Sequence, residues 1–433
     1  MKIQVTPRRA AICHDVSAPF ELLLRLQAPA EDFPNIQPSP LNLALVIDRS
    51  GSMSGREIIE AKRCAQMLLD RLGKNDKVAV VQYNSIVDNL LELMPALVAQ
   101  PLARIKLEGI TAEGGTALHG GWLQGAELLA PDVANERLSR VILLSDGQAN
   151  EGLTNTATIC EQVEQLASAG VTTTTVGLGE GFNETLMTGM ARAGRGGAHY
   201  GERAQDLAEA FEAELELMKH LAWKSVHLRI HSSEKIRVIN DYPNQDGTWQ
   251  LPSIAVGAEA WVLLRMPMSV AARMASSTQK QWMQIEALDC DGGIHTFEIP
   301  FPALPSVDQT TYKMMNEDEL VIRRGNELKA AEIQSTAARA ARNGDWSQVK
   351  SLINQLEDLG KDHPWIAASI DFLQELLRNR DIERMSKEMA YKSVSFSQRL
   401  SDIDEKAMFC LSDEIQKPVF LRRKTEAGRS TSE

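Results

Sequence analysis

Leu41-Asn-Leu-Ala-Leu-Val-Ile-Asp-Arg-Ser-Gly-Ser-Met53 is the stretch that decides the fold. Leu41 to Ile47 is an almost unbroken apolar run, the pattern of a strand buried on both faces. It stops at Asp48-Arg49-Ser50-Gly51-Ser52, where three oxygen-bearing side chains surround a glycine. Ala61, Cys64, Ala65, Leu68 and Leu72 then recur at helical spacing. Strand, polar loop and helix therefore follow one another, with the loop at the carboxyl end of a central strand, where open α/β sheets bind ligands.

The loop lacks the Gly-Lys-Ser/Thr of a phosphate-binding loop, since Gly55-Arg56-Glu57 stands there. Nor is it a nucleophile elbow, because Asp48-Arg49 precedes Ser50. One carboxylate and two alternate hydroxyls suit Mg²⁺ or Mn²⁺, which take oxygen ligands. An Asp or Ser that merely caps the next helix explains the loop equally well.

Two later stretches bear on that choice. Gly114-Gly115-Thr116-Ala117-Leu118 is a glycine turn that offers a hydroxyl at the start of another helix. Val141-Ile-Leu-Leu-Ser-Asp146-Gly147 is a second buried strand, ending in a carboxylate and a glycine. Asp-x-Ser-x-Ser, Gly-Gly-Thr and strand-Ser-Asp-Gly in this order resemble the von Willebrand factor A (VWA) domain and its metal-ion-dependent adhesion site (MIDAS). The side chains matched to that site are Asp48, Ser50, Ser52, Thr116 and Asp146. Gln148-Ala149-Asn150-Glu151-Gly152 is similar to the bacterial, intracellular-type branch. The resemblance covers residues 40–222 and implies a doubly wound, Rossmann-like α/β fold.

What the resemblance implies chemically is recognition. Ser50, Ser52 and Thr116 would touch the ion, Thr116 in one of two states, while Asp48 and Asp146 act through bound water. Neutral hydroxyls leave the charge of the ion largely uncompensated, so it accepts a further carboxylate, an Asp or Glu of a partner protein. Similar proteins work beside AAA+ ATPases of the MoxR type, and the sequence has no ATP motif of its own. The alternatives are a scaffold with a merely structural metal, or a metal-dependent hydrolase. Hydrolysis requires a base, and His119 is the nearby candidate, although a packed histidine is the commoner outcome at its position. Arg49 reads as a rim residue able to reach a partner carboxylate, or as a solvated arginine. His199 and His363 read as structural.

Composition bounds the rest. With 433 residues the chain has room for several domains, and its net charge of −12 argues against bulk affinity for nucleic acid or anionic membrane. No apolar run is long enough to span a bilayer, and the N-terminal segment lacks a signal-peptide core. Cys13, Cys64, Cys160, Cys290 and Cys410 are scattered, which suits reduced thiols and a cytoplasmic location.

Outside residues 40–222 the pattern changes. Residues 1–39 hold two strand-like runs, Arg9 to Cys13 and Phe20 to Leu26, too few for a sheet. Short alternating runs with turn signals between them occupy 223–305, as in an all-β sandwich. The expected architecture is multidomain: a VWA domain (40–222) inserted in a sandwich built from 1–39 and 223–305. A C-terminal helical region follows over 306–415, with a tetratricopeptide-like hairpin around Ala337–Leu359, and a polar, disordered tail over 416–433.

Overall fold

The computed structural model describes residues 1–33, 38–135, 137–179, 183–201, 203–231, 235–276 and 281–361, then scattered positions up to 402. The expected tail, Cys410 and most of the chain beyond 361 lie outside the described residues.

In chain order the elements begin with β1 (Lys2–Pro7), β2 (Phe20–Gln27), β3 (Leu41–Asp48) and α1 (Arg56–Asp70). Next come β4 (Lys77–Tyr83), β5 (Val87–Pro95), α2 (Ala96–Glu108), α3 (Leu118–Leu129) and β6 (Leu138–Ser145). Then follow α4 (Thr156–Ser168), β7 (Val171–Leu178), α5 (Glu184–Ala193), β8 (Arg195–Gly201) and α6 (Ala204–Lys219). These elements from β3 to α6 form one six-stranded sheet in the order β5-β4-β3-β6-β7-β8, parallel except for β5. Helices cover both faces. Leu41, Leu43, Leu45 and Ile47 point to the α1, α2 and α6 side, and Ala44 and Val46 to the α3 side. A strand buried on both faces needs an apolar residue at nearly every position.

The second half of the chain continues with β9 (Leu221–Ile230), β10 (Arg237–Val238), β11 (Asn244–Gln245), β12 (Thr248–Gln250) and β13 (Ile254–Ala255). β14 (Ala258–Met266), α7 (Met268–Ser276), β15 (Gln281–Asp289) and β16 (Ile294–Pro300) follow. One sheet runs β1-β2-β14-β10, and the facing one β11-β12-β9-β15-β16. β2 pairs antiparallel with β14 from Gln27↔Glu259 to Met266↔Phe20, so the N-terminal strand is closed by a partner more than two hundred residues later. Phe20, Leu22, Leu24 and Leu26 of β2 share a core with Val226, Leu228, Val262, Leu264 and Ile285. The α/β domain is thus an insertion between strands of a β-sandwich.

The first strand differs from the sequence expectation: it is Lys2–Pro7 rather than Arg9–Cys13. Arg9–Cys13 instead crosses the end of the sandwich, and Ile12 forms an isolated parallel bridge with Ser306. Ala11, Ile12 and Cys13 are apolar because they plug the core, which periodicity cannot distinguish from a strand. β8 and the helices α2, α4 and α7 also escaped the sequence reading. β8 (Arg-Gly-Gly-Ala-His-Tyr-Gly) has poor strand propensity and forms because β7 offers it an open edge.

The C-terminal helices are α8 (Gln309–Met314), α9 (Glu319–Arg342) and α10 (Trp346–Gly360). α9 lies on the outer face of the β2/β14 sheet, where Leu320, Val321 and Leu328 meet Leu23, Trp261 and Leu263. Its later half packs against α10 through Ala337, Ala341, Val349 and Ile353. Under α9 the charges are buried: Arg324 reaches Glu327 at 2.9 Å and Glu259 at 3.3 Å, with its guanidinium 4.8 Å from the Trp261 ring centre.

Candidate metal centre

All five side chains singled out in the sequence stand at the carboxyl edge of the central sheet, on loops that bond to one another. Asp48 ends β3 and is fully buried. Its Oδ1 accepts the Ser50 N–H at 2.8 Å, and its Oδ2 accepts the Ser145 hydroxyl at 2.6 Å and the Tyr83 hydroxyl at 3.0 Å. Tyr83 is brought there by register, since it is the β4 residue opposite Asp48. The Ser50 and Ser52 hydroxyls lie 3.1 Å apart, Ser50 buried and Ser52 exposed.

The Thr116 loop is joined to this one by backbone. Gly51 N–H donates to the Gly114 carbonyl at 2.9 Å, and Glu113 N–H to that of Arg49 at 2.8 Å. Gly114 holds φ +77°, a region that disfavours a side chain. Thr116 N–H donates to Asn150 Oδ1 at 2.8 Å, and Asn150 N–H returns to the Thr116 carbonyl at 3.2 Å. Thr116 is thereby tied to the loop that begins with Asp146, whose Oδ1 accepts the Gln148 N–H at 3.2 Å.

The electrostatics are unbalanced. Asp48 and Asp146 are both buried, and among the described residues neither has an ion-pair partner. Burial, and then the Asp146 charge, push the Asp48 carboxyl above its ordinary range, against the bonds from Ser145 and Ser50 that lower it. Burial pushes the Tyr83 phenol well above its own range, so it remains a donor to Asp48. A divalent cation beside the two carboxylates relieves this excess of negative charge. The donor set is mixed carboxylate and hydroxyl, which suits a hard ion. Among the described residues no group of three or more His, Cys, Asp and Glu side chains is placed to hold a metal. The side chains of Asp48, Ser50, Ser52, Thr116 and Asp146 are oxygen donors of the kind a hard cation takes.

Arg49 is bonded to Glu113 Oε1 at 2.9 Å and is 9% exposed, so it is not a freely solvated arginine. His119 is engaged away from these side chains, its Nε2 2.6 Å from Gln162 Oε1 and its ring beside Trp122. His199 Nε2 lies 2.6 Å from Glu214, and His363 is buried against Glu327. Residues given no role from sequence are Ser145, Tyr83 and Asn150. Ser145 and Asn150 stood inside quoted motifs, but only the folded register gives them partners.

Comparison with known proteins follows the same lines. Residues 42–213 match the von Willebrand factor type A domain. An uncharacterized protein of Synechocystis is 29% identical over 222 residues, 49% of this chain and 50% of that protein. Human inter-alpha-trypsin inhibitor heavy chain H4 is 32% identical over 150 residues, 32% of this chain and 16% of that one. The chain thus spans half or less of the length of these curated relatives. Among solved structures, a von Willebrand factor type A protein from Catenulispora acidiphila aligns with a TM-score of 0.68 at 17% identity. It covers 92% of this chain and 96% of that one. The ArnB paralog VWA2 from Sulfolobus acidocaldarius aligns at TM-score 0.59 and 16% identity, covering 91% and 97%. At these identities the likeness is one of fold, and it extends past the VWA domain to the sandwich and helices.

Proposed function

Because the chain carries a von Willebrand factor type A domain over residues 42–213, we propose that it is a protein-interaction module that binds its partner through a divalent cation. Asp48, Ser50, Ser52, Thr116 and Asp146 would hold Mg²⁺ or Mn²⁺, and an Asp or Glu of the partner would be its last ligand. The observation that carries this reading is the pair of buried carboxylates, Asp48 and Asp146, without a described counter-ion. Two such charges are costly to keep apart from solvent unless a cation joins them. When bound, the ion supplies a positive charge for an incoming carboxylate. The protein supplies the rest: Tyr83 and Ser145 fix Asp48, Asn150 fixes the Thr116 backbone, and Ser50 and Ser52 present paired hydroxyls.

Recognition is favoured over hydrolysis because His119, the histidine near these loops among the described residues, is committed to Gln162. Among the described residues no helix is long and apolar enough to cross a membrane. The partner is best sought by pulldown from lysate, comparing wild type, wild type with EDTA, and Asp48→Ala. The expected result is a protein, a MoxR-type AAA+ ATPase being the first to look for, that is retained only by the metal-loaded wild type. Retention unchanged by both EDTA and Asp48→Ala transfers the role to the sandwich and helices, with a merely structural metal.

A further inference from the structure

Thr116 is 1% exposed, and two neighbouring loops hold the turn that carries it. The first is the turn between β4 and β5. Asn84 brackets the Thr116 turn: its Nδ2 donates to the Glu113 carbonyl at 2.9 Å, and its own carbonyl accepts the Ala117 N–H at 2.8 Å. Between those two bonds the Ser85 hydroxyl accepts the Gly115 N–H at 2.9 Å.

The second loop is the one that follows Asp146, and it ends the hold on Glu151. The Glu151 N–H donates to the Thr116 carbonyl at 3.3 Å. The Glu151 side chain returns over the turn, where its Oε1 accepts the Ser85 hydroxyl at 2.9 Å. Ser85 is thus an acceptor toward Gly115 and a donor toward Glu151, which uses the two capacities of one hydroxyl. The carboxylate lies so close to Gly115 that a Cβ there would collide with it. That contact accounts for the second glycine of Gly114-Gly115, as the positive φ accounts for the first.

We infer that Glu151 is a positioning residue of the metal centre. Through Ser85 and Gly115 it holds the Thr116 turn in place, and Thr116 in turn offers its hydroxyl to the ion. The inference rests on the reading of the metal loops above. A ligand held by its surroundings binds an ion more tightly than one that must first be ordered, because the ordering is not repeated at each binding event. A surface hydrogen bond between one hydroxyl and one carboxylate has a modest effect, so the expected loss is severalfold rather than complete.

The test measures Mg²⁺ uptake of the metal-free full chain by calorimetric titration, with thermal melts in EDTA to verify that each variant folds. Glu151→Ala and Ser85→Ala are each expected to weaken uptake about threefold or more. Glu151→Gln keeps an oxygen acceptor for Ser85 and is expected to retain most of the affinity. Gly115→Ala pushes the carboxylate off Ser85, so it is expected to cause the same loss alone and none beyond it in the Glu151→Ala background. Uptake by Glu151→Ala equal to wild type overturns the role of Glu151 and leaves the metal reading standing. Losses from Gly115→Ala and Glu151→Ala that add in the double variant overturn the contact between them. A Glu151→Gln as weak as Glu151→Ala means that the charge acts on the ion directly, which overturns positioning. Absence of uptake by wild type overturns both readings.

Discussion

Asp48 shows how one residue type is made to serve a site. A carboxylate placed at the end of a buried strand pays for desolvation, and three hydrogen bonds offset part of that cost. Those donors come from three different segments, Ser50, Tyr83 and Ser145, so the side chain is held in one orientation. The hydroxyls of Ser50 and Ser52 lie 3.1 Å apart. Replacing both by alanine, Ser50→Ala/Ser52→Ala, leaves the strands intact and removes two oxygen donors. Calorimetric titration of the metal-free protein is expected to show saturable Mg²⁺ or Mn²⁺ uptake that this variant weakens at least tenfold, about 1.4 kcal/mol. Unaltered uptake places the ion elsewhere.

At the scale of elements, two buried charge clusters hold neighbours together. Glu214 of α6 joins β6, β7 and β8: Arg140 Nη1 is 2.5 Å away, His199 Nε2 2.6 Å, and Thr174 also donates to it. Burial alone would raise its pKa, but the His199 hydrogen bond, the Arg140 charge and the Thr174 hydroxyl hold it well below its ordinary 4.5. A depressed folded pKa contributes stability above pH 4.5 that is lost as pH falls toward the folded value. Glu214→Gln should therefore lower stability at neutral pH and make it less sensitive to acid below that point, as urea melts at a series of pH values would show. Parallel acid sensitivity in wild type and variant contradicts it. The second cluster pins α9 to the sandwich. Arg324→Ala removes the buried guanidinium between Glu327 and Glu259, leaving Glu259 its pair with Arg25 and Glu327 its contact with His363, which is expected to cost about 3 kcal/mol, the lower end for a broken buried pair. A melting midpoint within error of wild type would mean that the packing of Leu320, Val321 and Leu328 docks the helix unaided.

For the whole molecule, the insertion makes the sandwich depend on chain segments far apart in sequence, while the VWA domain is closed by its own strands. Removing residues 1–39 takes β2 from the middle of its sheet, with Phe20, Leu22, Leu24 and Leu26 from the core. At about 2 kcal/mol for each buried side chain, the remaining sandwich is not expected to fold. An excised 40–222 fragment should still melt cooperatively; a chain beginning at residue 40 that melts like full length would refute the dependence. Metal acts on another scale. A weakly held ion stabilises by mass action, about 1–3 kcal/mol at ten to a hundred times Kd. EDTA is therefore expected to shift the melting temperature modestly while abolishing partner retention.

The sequence by itself determined the α/β domain and which loops stand at the carboxyl edge of its central sheet. Leu41–Ile47 and Val141–Leu144 are so continuously apolar that only a doubly covered parallel sheet accommodates them. Asp48 and Asp146 must then fall at its edge. The sequence also carried the need of the N-terminal strands for distant partners, because a lone β2 cannot satisfy its backbone. Tertiary structure alone decided the rest. Which strand β2 joins depends on register with β14 across the insertion, and local periodicity carries no such distance. That Ile12 plugs a core, that Tyr83 and Ser145 fix Asp48, and that Arg56, Arg63 and Arg203 line one pocket are facts of proximity between elements. Hydrogen bonds and charge pairs act over a few ångströms, so their partners exist only once packing has brought the elements together.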